Sequence, residues 1–484
     1  MNDSLPSGKN LIFILIVASI ASFMSALDGT IVNIALPSIA KAFDLPTSSV
    51  AWVSTIYLLV IAGLLLIIGK ITDTIGLKKI FLGGFAIFVI GSFSCGFFPE
   101  LMHSFNILLI SRIVQAIGGG MMIVVAPAML SLFMPGDRRA KGLSLVMLFS
   151  AVGMAIGPTL GGYLTEYLSW HWIFFINVPV GIFAIILGLI VIPENKPDSS
   201  SRKKFDAPGA VLIFIGLAAL LFAFSEGFVL GWTSPQIIVS ALLAVIFIGG
   251  FIRRELHYDN PLIDLGMFKS RSFVVLNIVY GLLYFTFAGA NYILPFYLEY
   301  VHGYSTSNAG LILTSLSVGM MITGILSGLI YAKLVGKIKY MVMTGVILIG
   351  VGYFLLSHLS PITGLGVIIT ALSMIGLGLG VTITPLTTLI MGTAPPSKQG
   401  MVSSLTGLER YAPMTIGVAI YNLIVIVGIV TLIKDSGITY KTPADISPSI
   451  LSLGFDLAFV ISVILAVVIL ALCFFIKEEK AAEE

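Results

Sequence analysis

Apolar residues run along this chain in long unbroken stretches, each closed by a short cluster of glycine, proline, hydroxyl or charged residues. "ILLISRIVQAIGGGMMIVVAPAMLSLFM" and "LAFVISVILAVVILALCFFI" show the pattern. A helix crosses the hydrocarbon of a bilayer with about 20 apolar residues, and these runs are long enough. Cutting at the polar clusters predicts fourteen spans: 10–37, 48–69, 79–98, 104–133, 141–165, 171–193, 207–228, 235–253, 272–299, 307–332, 340–358, 362–391, 401–432 and 450–476. The fold class is therefore all-α, an integral membrane protein.

Composition agrees with that pattern. The 484 residues are 58% hydrophobic and 10% charged, whereas soluble domains carry about 25% charged residues. The first span follows a short polar start and has no small-residue cleavage site, so it is expected to be a retained helix rather than a signal peptide. Cys95 and Cys473 lie inside apolar runs and read as small hydrophobes. The net charge of +3 does not point to nucleic acid, because the basic residues fall in short loops between spans.

Those loops orient the chain. With a cytoplasmic N-terminus, 21 of the 26 lysines and arginines fall in cytoplasmic segments, notably Lys70/Lys78/Lys79, Arg138/Arg139/Lys141, Arg253/Arg254/Lys269/Arg271 and Lys333/Lys337/Lys339. Only Lys41, Lys434 and Lys441 fall outside, and Arg112 and Arg410 lie within spans. This is the asymmetry of the positive-inside rule. An even span count puts both termini in the cytoplasm.

A weak repeat also runs through the chain. "NIALP" at 33–37 is echoed by "NYILP" at 291–295, Gly69 by Gly328, Gly120 by Gly380 and Gly142 by Gly400, at offsets of 258 to 260 residues. Two parallel six-helix halves follow, with spans 7 and 8 inserted between them. The expected divisions are 1–195, 196–260 (linker "ENKPDSSSRKK" and the inserted spans) and 261–484.

Several motifs carry chemistry. "GKITDTIGLKK" joins spans 2 and 3. Gly69 and Gly76 permit a tight turn, Asp73 supplies one anion, and Lys78 and Lys79 hold the loop at the cytoplasmic side. The spacing G-x-x-x-D-x-x-G-x-[KR]-[KR] resembles the loop signature of the major facilitator superfamily. In span 4, Arg112 and Gln115 share a helical face. Arg112 either tethers span 4 to span 1 or supplies a fixed positive charge beside a carboxyl group, since a guanidinium keeps its charge in proteins. In span 5, Gly153, Gly157 and Gly161 form a smooth groove, with Gly162 beside it and Pro158 bending the helix. This G-x-x-x-G-P-x-x-G-G pattern resembles the span-5 signature of antiporters in the same superfamily.

The first span contains "LDGTIVNIALP", in which Asp28 is the only ionisable residue between Leu11 and Leu36. A carboxylate at that depth is costly and marks a functional candidate. The segment resembles the first-helix signature of the fourteen-helix drug:proton antiporters. "WHWIFFINVPVG", "GWTSPQ" and "YILPFYLEYVHGYSTSNAGL" support the same resemblance. Departures are Ala116, where a glycine usually follows Gln115, and Pro413 in span 13.

The resemblance implies the major facilitator fold and proton-driven export of amphipathic compounds by alternating access. Burial favours the neutral form of a carboxyl group and a neighbouring cation favours the ionised form. Asp28 and Arg112 together are thus proton-coupling candidates, the alternative being a carboxylate that only holds a helix in place. Glu409 is a further candidate, at even standing with a role at the end of its span. Asn33, Gln115, Asn291 and Arg410 are candidates for a central substrate cavity. A dedicated exporter of one metabolite, lipid or siderophore-like compound is the alternative function, and a transporter-derived sensor or scaffold is a third reading. No nucleotide loop, zinc spacing or nucleophile constellation is present, and the five histidines are scattered. Neither enzymatic activity, metal nor cofactor is expected. The expected partners are small amphipathic substrates, protons and the lipid bilayer, but not nucleic acid, and the expected state is monomeric.

Overall fold

The computed structural model describes residues 8–134, 136–194, 206–258, 261–331, 338–393, 399–436 and 446–476. Among the described residues, fourteen helices are long and apolar enough to cross a membrane, and no strand occurs. They are α1 (Gly8–Ala42), α2 (Trp52–Ile75), α3 (Leu77–Leu101), α4 (Phe105–Phe133), α5 (Gly136–Tyr167), α6 (Asn177–Val191, which together with a short helix at Trp172–Phe175 makes the span Trp172–Val191), α7 (Ala207–Leu230), α8 (Pro235–Glu255), α9 (Arg271–Phe296), α10 (Thr306–Tyr331), α11 (Ile338–Leu356), α12 (Leu365–Gly392), α13 (Gln399–Ser436) and α14 (Pro448–Cys473). Each corresponds to one predicted span. The first differs at its end, because α1 continues through Pro37 to Ala42. Proline removes a single backbone donor, which a helix packed on its neighbours tolerates. α9 runs into one π-helical turn, Tyr297–Val301.

The helices form two six-helix halves with matching internal packing. α1 lies on α5 and α9 on α13, while α3 packs on α4 and α11 on α12. Even the glycine echoes correspond. A Cβ at Gly120 of α4 would meet Ile68 of α2, and one at Gly380 of α12 would meet Thr323 of α10. Between the halves, α5 packs on α10 and α2 on α13. The two inserted helices pair with each other, and α7 covers the α2–α13 side by touching both halves. Trp52 Nε1 of α2 donates to Glu226 Oε1 of α7 at 2.6 Å, and the Phe214 ring fills the space left by Gly63. At the other end of α7, Asp206 caps Gly209 N at 2.9 Å and pairs with Arg254 Nε at 2.5 Å.

Outward faces are apolar. Val245 and Ile246 of α8 and Phe183 and Ile190 of α6 are more than half exposed, as a protein dissolved in lipid requires. The protein is a multi-pass membrane protein. One end of the bundle carries basic side chains. There Lys78 Nζ donates to the Leu189 carbonyl at 3.1 Å and Lys339 Nζ to the Phe474 carbonyl at 2.7 Å. We call this the basic end and the opposite one the distal end.

Candidate functional site

Asp28 sits mid-length in α1 with its side chain wholly buried. Its carboxylate accepts three hydrogen bonds. Arg112 Nη1 donates to Oδ2 at 2.9 Å, Gln115 Nε2 to Oδ1 at 2.8 Å and Asn177 Nδ2 to Oδ1 at 3.2 Å. The spacing of Arg112 and Gln115 puts both on the α4 face turned to α1, while Asn177 opens α6. The network extends further. Arg112 Nη1 also donates to Gln115 Oε1 at 2.5 Å, Arg112 Nε to the Val53 carbonyl at 3.1 Å, and Gln115 Nε2 to Ser92 Oγ at 2.8 Å. The Tyr57 ring covers the guanidinium at 4.0 Å. A buried ion pair is tolerable when its remaining donors and acceptors are met, and removing one partner costs about 3–5 kcal/mol. Here side chains or carbonyls from α1, α2, α3, α4 and α6 meet both carboxylate oxygens of Asp28, Nε and Nη1 of Arg112, and the amide of Gln115.

A cavity of about 270 Å³ lies between the halves. Asn33, Asn291 and Arg410 line it. Asn33 Oδ1 accepts from Ser54 Oγ at 2.9 Å. Tyr57 and the rim of Arg112 also line the cavity, whereas Asp28 does not reach it. Gln115 is corrected. It is fully buried in the Asp28 network rather than facing the cavity, because both ends of its amide are taken by Asp28, Ser92 and Arg112. Glu409 joins neither network nor cavity lining. Successive helical residues diverge by about 100°, so with Arg410 facing the cavity Glu409 turns away, and its Oε2 has no hydrogen-bond partner.

The glycine groove of α5 lies against α1, directly beside Asp28. A Cβ at Gly153 would come within 2.5 Å of the Phe23 carbonyl, one at Gly157 would collide with Thr30 Oγ1, and one at Gly161 would lie 2.7 Å from the Ile31 carbonyl. Gly162 faces the other half, where a Cβ would lie 2.5 Å from the Thr306 carbonyl of α10, and the Pro158 carbonyl abuts Gly310. Thr159 and Thr314 hydroxyls meet at 2.5 Å, Glu166 Oε2 accepts from Ser307 N at 2.7 Å, and Tyr292 Oη donates to the Thr47 carbonyl at 2.7 Å. All these contacts lie toward the distal end. The cavity lining instead includes Pro127 of α4 and Val146 and Met147 of α5, on the basic side of the mid-plane. The distal side of the cavity is closed by direct contact between the halves.

In the loop between α2 and α3, Gly76 has φ 97°, a conformation that favours glycine. Gly69, expected in the turn, instead lies inside α2, which continues to Ile75, and a Cβ there would meet nothing within 4 Å. Lys79 is exposed, and the side chains of Asp73 and Arg139 lie outside the described residues. Cys95 is buried, as expected of a small hydrophobe, and its thiol also donates weakly to Gln115 Oε1 at 3.8 Å. Between α5 and α6, burial lowers the pKa of His171, opposed by Glu100 at 3.2 Å.

Sequence reading missed Asn177, Ser92 and the Val53 carbonyl. Asn177 had a signal, as the one amide in the otherwise apolar "IFFINVPVG". Ser92 and Val53 had none, since serines are common in membrane helices and a carbonyl carries no side-chain signature.

Residues 18–418 match the family model of the Major Facilitator Superfamily. The chain is 33% identical over 413 residues to the riboflavin transporter RibZ of Clostridioides difficile (strain 630), covering 84% of this chain and 87% of that one. It is 32% identical to the multidrug transporter protein MdtP of Bacillus subtilis (strain 168), covering 87% and 76%. The multidrug export protein EmrB of Escherichia coli (strain K12) is 31% identical, covering 85% and 80%. Among solved structures, a bacterial homolog of the human lysosomal transporter Spinster, inward-facing and unoccupied, superposes with a TM-score of 0.69 at 15% identity, covering 99% of this chain and 100% of that one. A D-xylose-proton symporter gives 0.67 at 14% identity, covering 96% and 98%.

Proposed function

The chain belongs to the Major Facilitator Superfamily, and from that premise we propose that it is a proton-coupled antiporter that exports amphipathic compounds of the multidrug type. The observation that carries this reading is the Asp28–Arg112 pair, sealed by Gln115 and Asn177 and separated from the central cavity by one guanidinium and one tyrosine ring. A proton arriving on Asp28 releases Arg112 from its anion, and the freed guanidinium and the Tyr57 ring are themselves part of the cavity wall. Protonation thereby changes the surface that a substrate meets. Drug transporters among the relatives support the substrate class.

The basic end is the cytoplasmic one in this reading, by the positive-inside rule, so the distal seal makes the conformation inward-facing. A tag at either terminus is expected to be protected in intact cells, and a surface-accessible tag would invert the assignment. The chain acts as a monomer, with lipid around its apolar faces.

The test is transport by purified protein in liposomes under an imposed pH gradient, with a panel of amphipathic dyes. Gradient-dependent movement that collapses with a protonophore supports the reading; movement indifferent to the gradient refutes proton coupling. A second reading, export of one metabolite, is favoured by the riboflavin transporter among the relatives. A deletion strain sensitised to many unrelated compounds separates the first from the second.

The distal seal gives a further expected result. A Thr159→Cys/Thr314→Cys pair replaces two hydroxyls that touch at 2.5 Å, and both native cysteines are buried. Oxidation is expected to cross-link the halves and stop transport, with reduction restoring it. Undiminished transport by the oxidised, cross-linked protein would mean that this seam does not open.

A further inference from the structure

The cavity holds two guanidinium groups and, among the described residues, no carboxylate reaches its wall. Their situations differ sharply. Arg112 is neutralised by Asp28 at 2.9 Å and is 1% exposed. Arg410 has no such counter-ion among the described residues. Its guanidinium lies near the rings of Tyr284 and Tyr411, at 5.4 and 5.3 Å, and its Nε has no hydrogen-bond partner. Its neighbour Glu409 turns away from the cavity, and among the described residues no acid lies within ion-pair distance of Arg410. With Asp28 and Arg112 cancelling, the cavity carries one uncompensated positive charge.

That charge cannot be removed by losing a proton. It sits where burial of an unpaired ion is expensive, and the rings beneath it satisfy only part of its demand. Its planar fork of donors matches two oxygens of a carboxylate, sulfonate or phosphate group. Around it the wall is aromatic and soft, with Tyr57, Phe287, Tyr411 and Met414. Asn291 adds an amide that makes no side-chain hydrogen bond with other described residues. The arrangement offers one oxyanion site set in an apolar, ring-lined chamber. A cationic amphipath would find the same charge repulsive and would have to break the Arg112–Asp28 pair to reach an anion.

We infer that Arg410 is the docking point for the anionic group of the substrate, and that this transporter carries aromatic organic anions in preference to cations. The inference rests on the transport reading of the cavity and narrows its substrate class. Selectivity then arises from one charge, while the apolar wall leaves the ring system loosely specified, which suits export of many related compounds.

The probes are three compounds on one skeleton: 2-naphthoate, its uncharged amide and the corresponding naphthylmethyl ammonium. Equilibrium binding to the purified full-length protein is measured by calorimetry, and competition with gradient-driven dye transport is measured in liposomes. The wild type is expected to favour naphthoate over the ammonium by about tenfold or more, the scale of a charge-assisted hydrogen bond. Arg410→Gln is expected to lose that preference with binding of the amide changed less than about twofold. Arg410→Lys keeps the sign of the charge without the fork, and is expected to retain an intermediate preference. Preference for the ammonium in the wild type, unaltered naphthoate binding in Arg410→Gln, or binding of none of the three would overturn the inference. Proton-independent dye movement alongside a normal calorimetric preference would sink the antiport reading and leave the anion site standing, so the two failures are distinguishable.

Discussion

Asp28→Asn is expected to abolish proton-coupled transport while leaving a folded protein in the membrane. The substitution keeps the shape of the side chain and removes its charge for good. An asparagine presents one acceptor and one donor group where the carboxylate accepts three hydrogen bonds. The amides of Gln115 and Asn177 can turn over to meet the new donor group, but Arg112 has no second anion to turn to. A buried charge stripped of its partner destabilises by about 3–5 kcal/mol, so a lowered melting temperature should accompany the loss of transport.

The decisive readout is the pH dependence of substrate binding to purified protein. In the wild type, binding should vary with pH, because protonation of Asp28 frees Arg112 at the cavity wall. In Asp28→Asn the dependence should flatten. The other groups of the network that titrate, Tyr57 and Cys95, are of types that ordinarily do so above neutrality, and Cys95→Ala serves as a control expected to keep the wild-type dependence. An unflattened profile in Asp28→Asn would mean that the proton is carried elsewhere, with Glu409 the next residue to replace.

How much of this was legible in the sequence follows from how each feature is encoded. Every span was readable because hydrocarbon imposes one rule on all of them, and the halves were readable because glycines such as Gly120 and Gly380 recur at corresponding seams, α4 on α2 and α12 on α10. Asp28 and Arg112 stood out because a charge in an apolar run has no bland solvation. Their pairing needed the fold, since 84 residues separate them. That Arg112 and Gln115 share a face was legible from their spacing, but the direction in which Gln115 and Glu409 turn relative to the cavity was not. Both depend on helix rotation, and a shift of one residue turns a side chain by about 100°. Pro37 looked like a terminus because the penalty of a proline is local in sequence, whereas the packing that offsets it comes from neighbouring helices.

Gly157→Val is expected to have an effect as large as loss of Asp28 itself, by a route that involves no charge. At Gly157 an added Cβ collides with Thr30 Oγ1 and lies 3.0 Å from Thr30 Cβ and 3.2 Å from the Ile31 amide nitrogen. The Thr30 hydroxyl can rotate away, but Thr30 Cβ and the Ile31 amide are fixed to the α1 backbone and can yield only if the whole helix moves. Overpacking of this kind typically costs about 1–3 kcal/mol, which a fourteen-helix bundle survives. The function is more sensitive, because the displaced segment of α1 carries Asp28 two residues before Thr30. Its hydrogen bonds to Arg112 and Gln115, at 2.9 and 2.8 Å, do not tolerate the movement of α1 that relieves the collision. The variant should therefore reach the membrane in normal amount and fail to exchange protons for substrate. Gly249→Val in α8 is the matched control, since nothing lies within 4 Å of the added Cβ there, and it should transport normally. Full proton-coupled exchange in Gly157→Val would show that the groove is ordinary close packing, with no part in holding Asp28 to its partners.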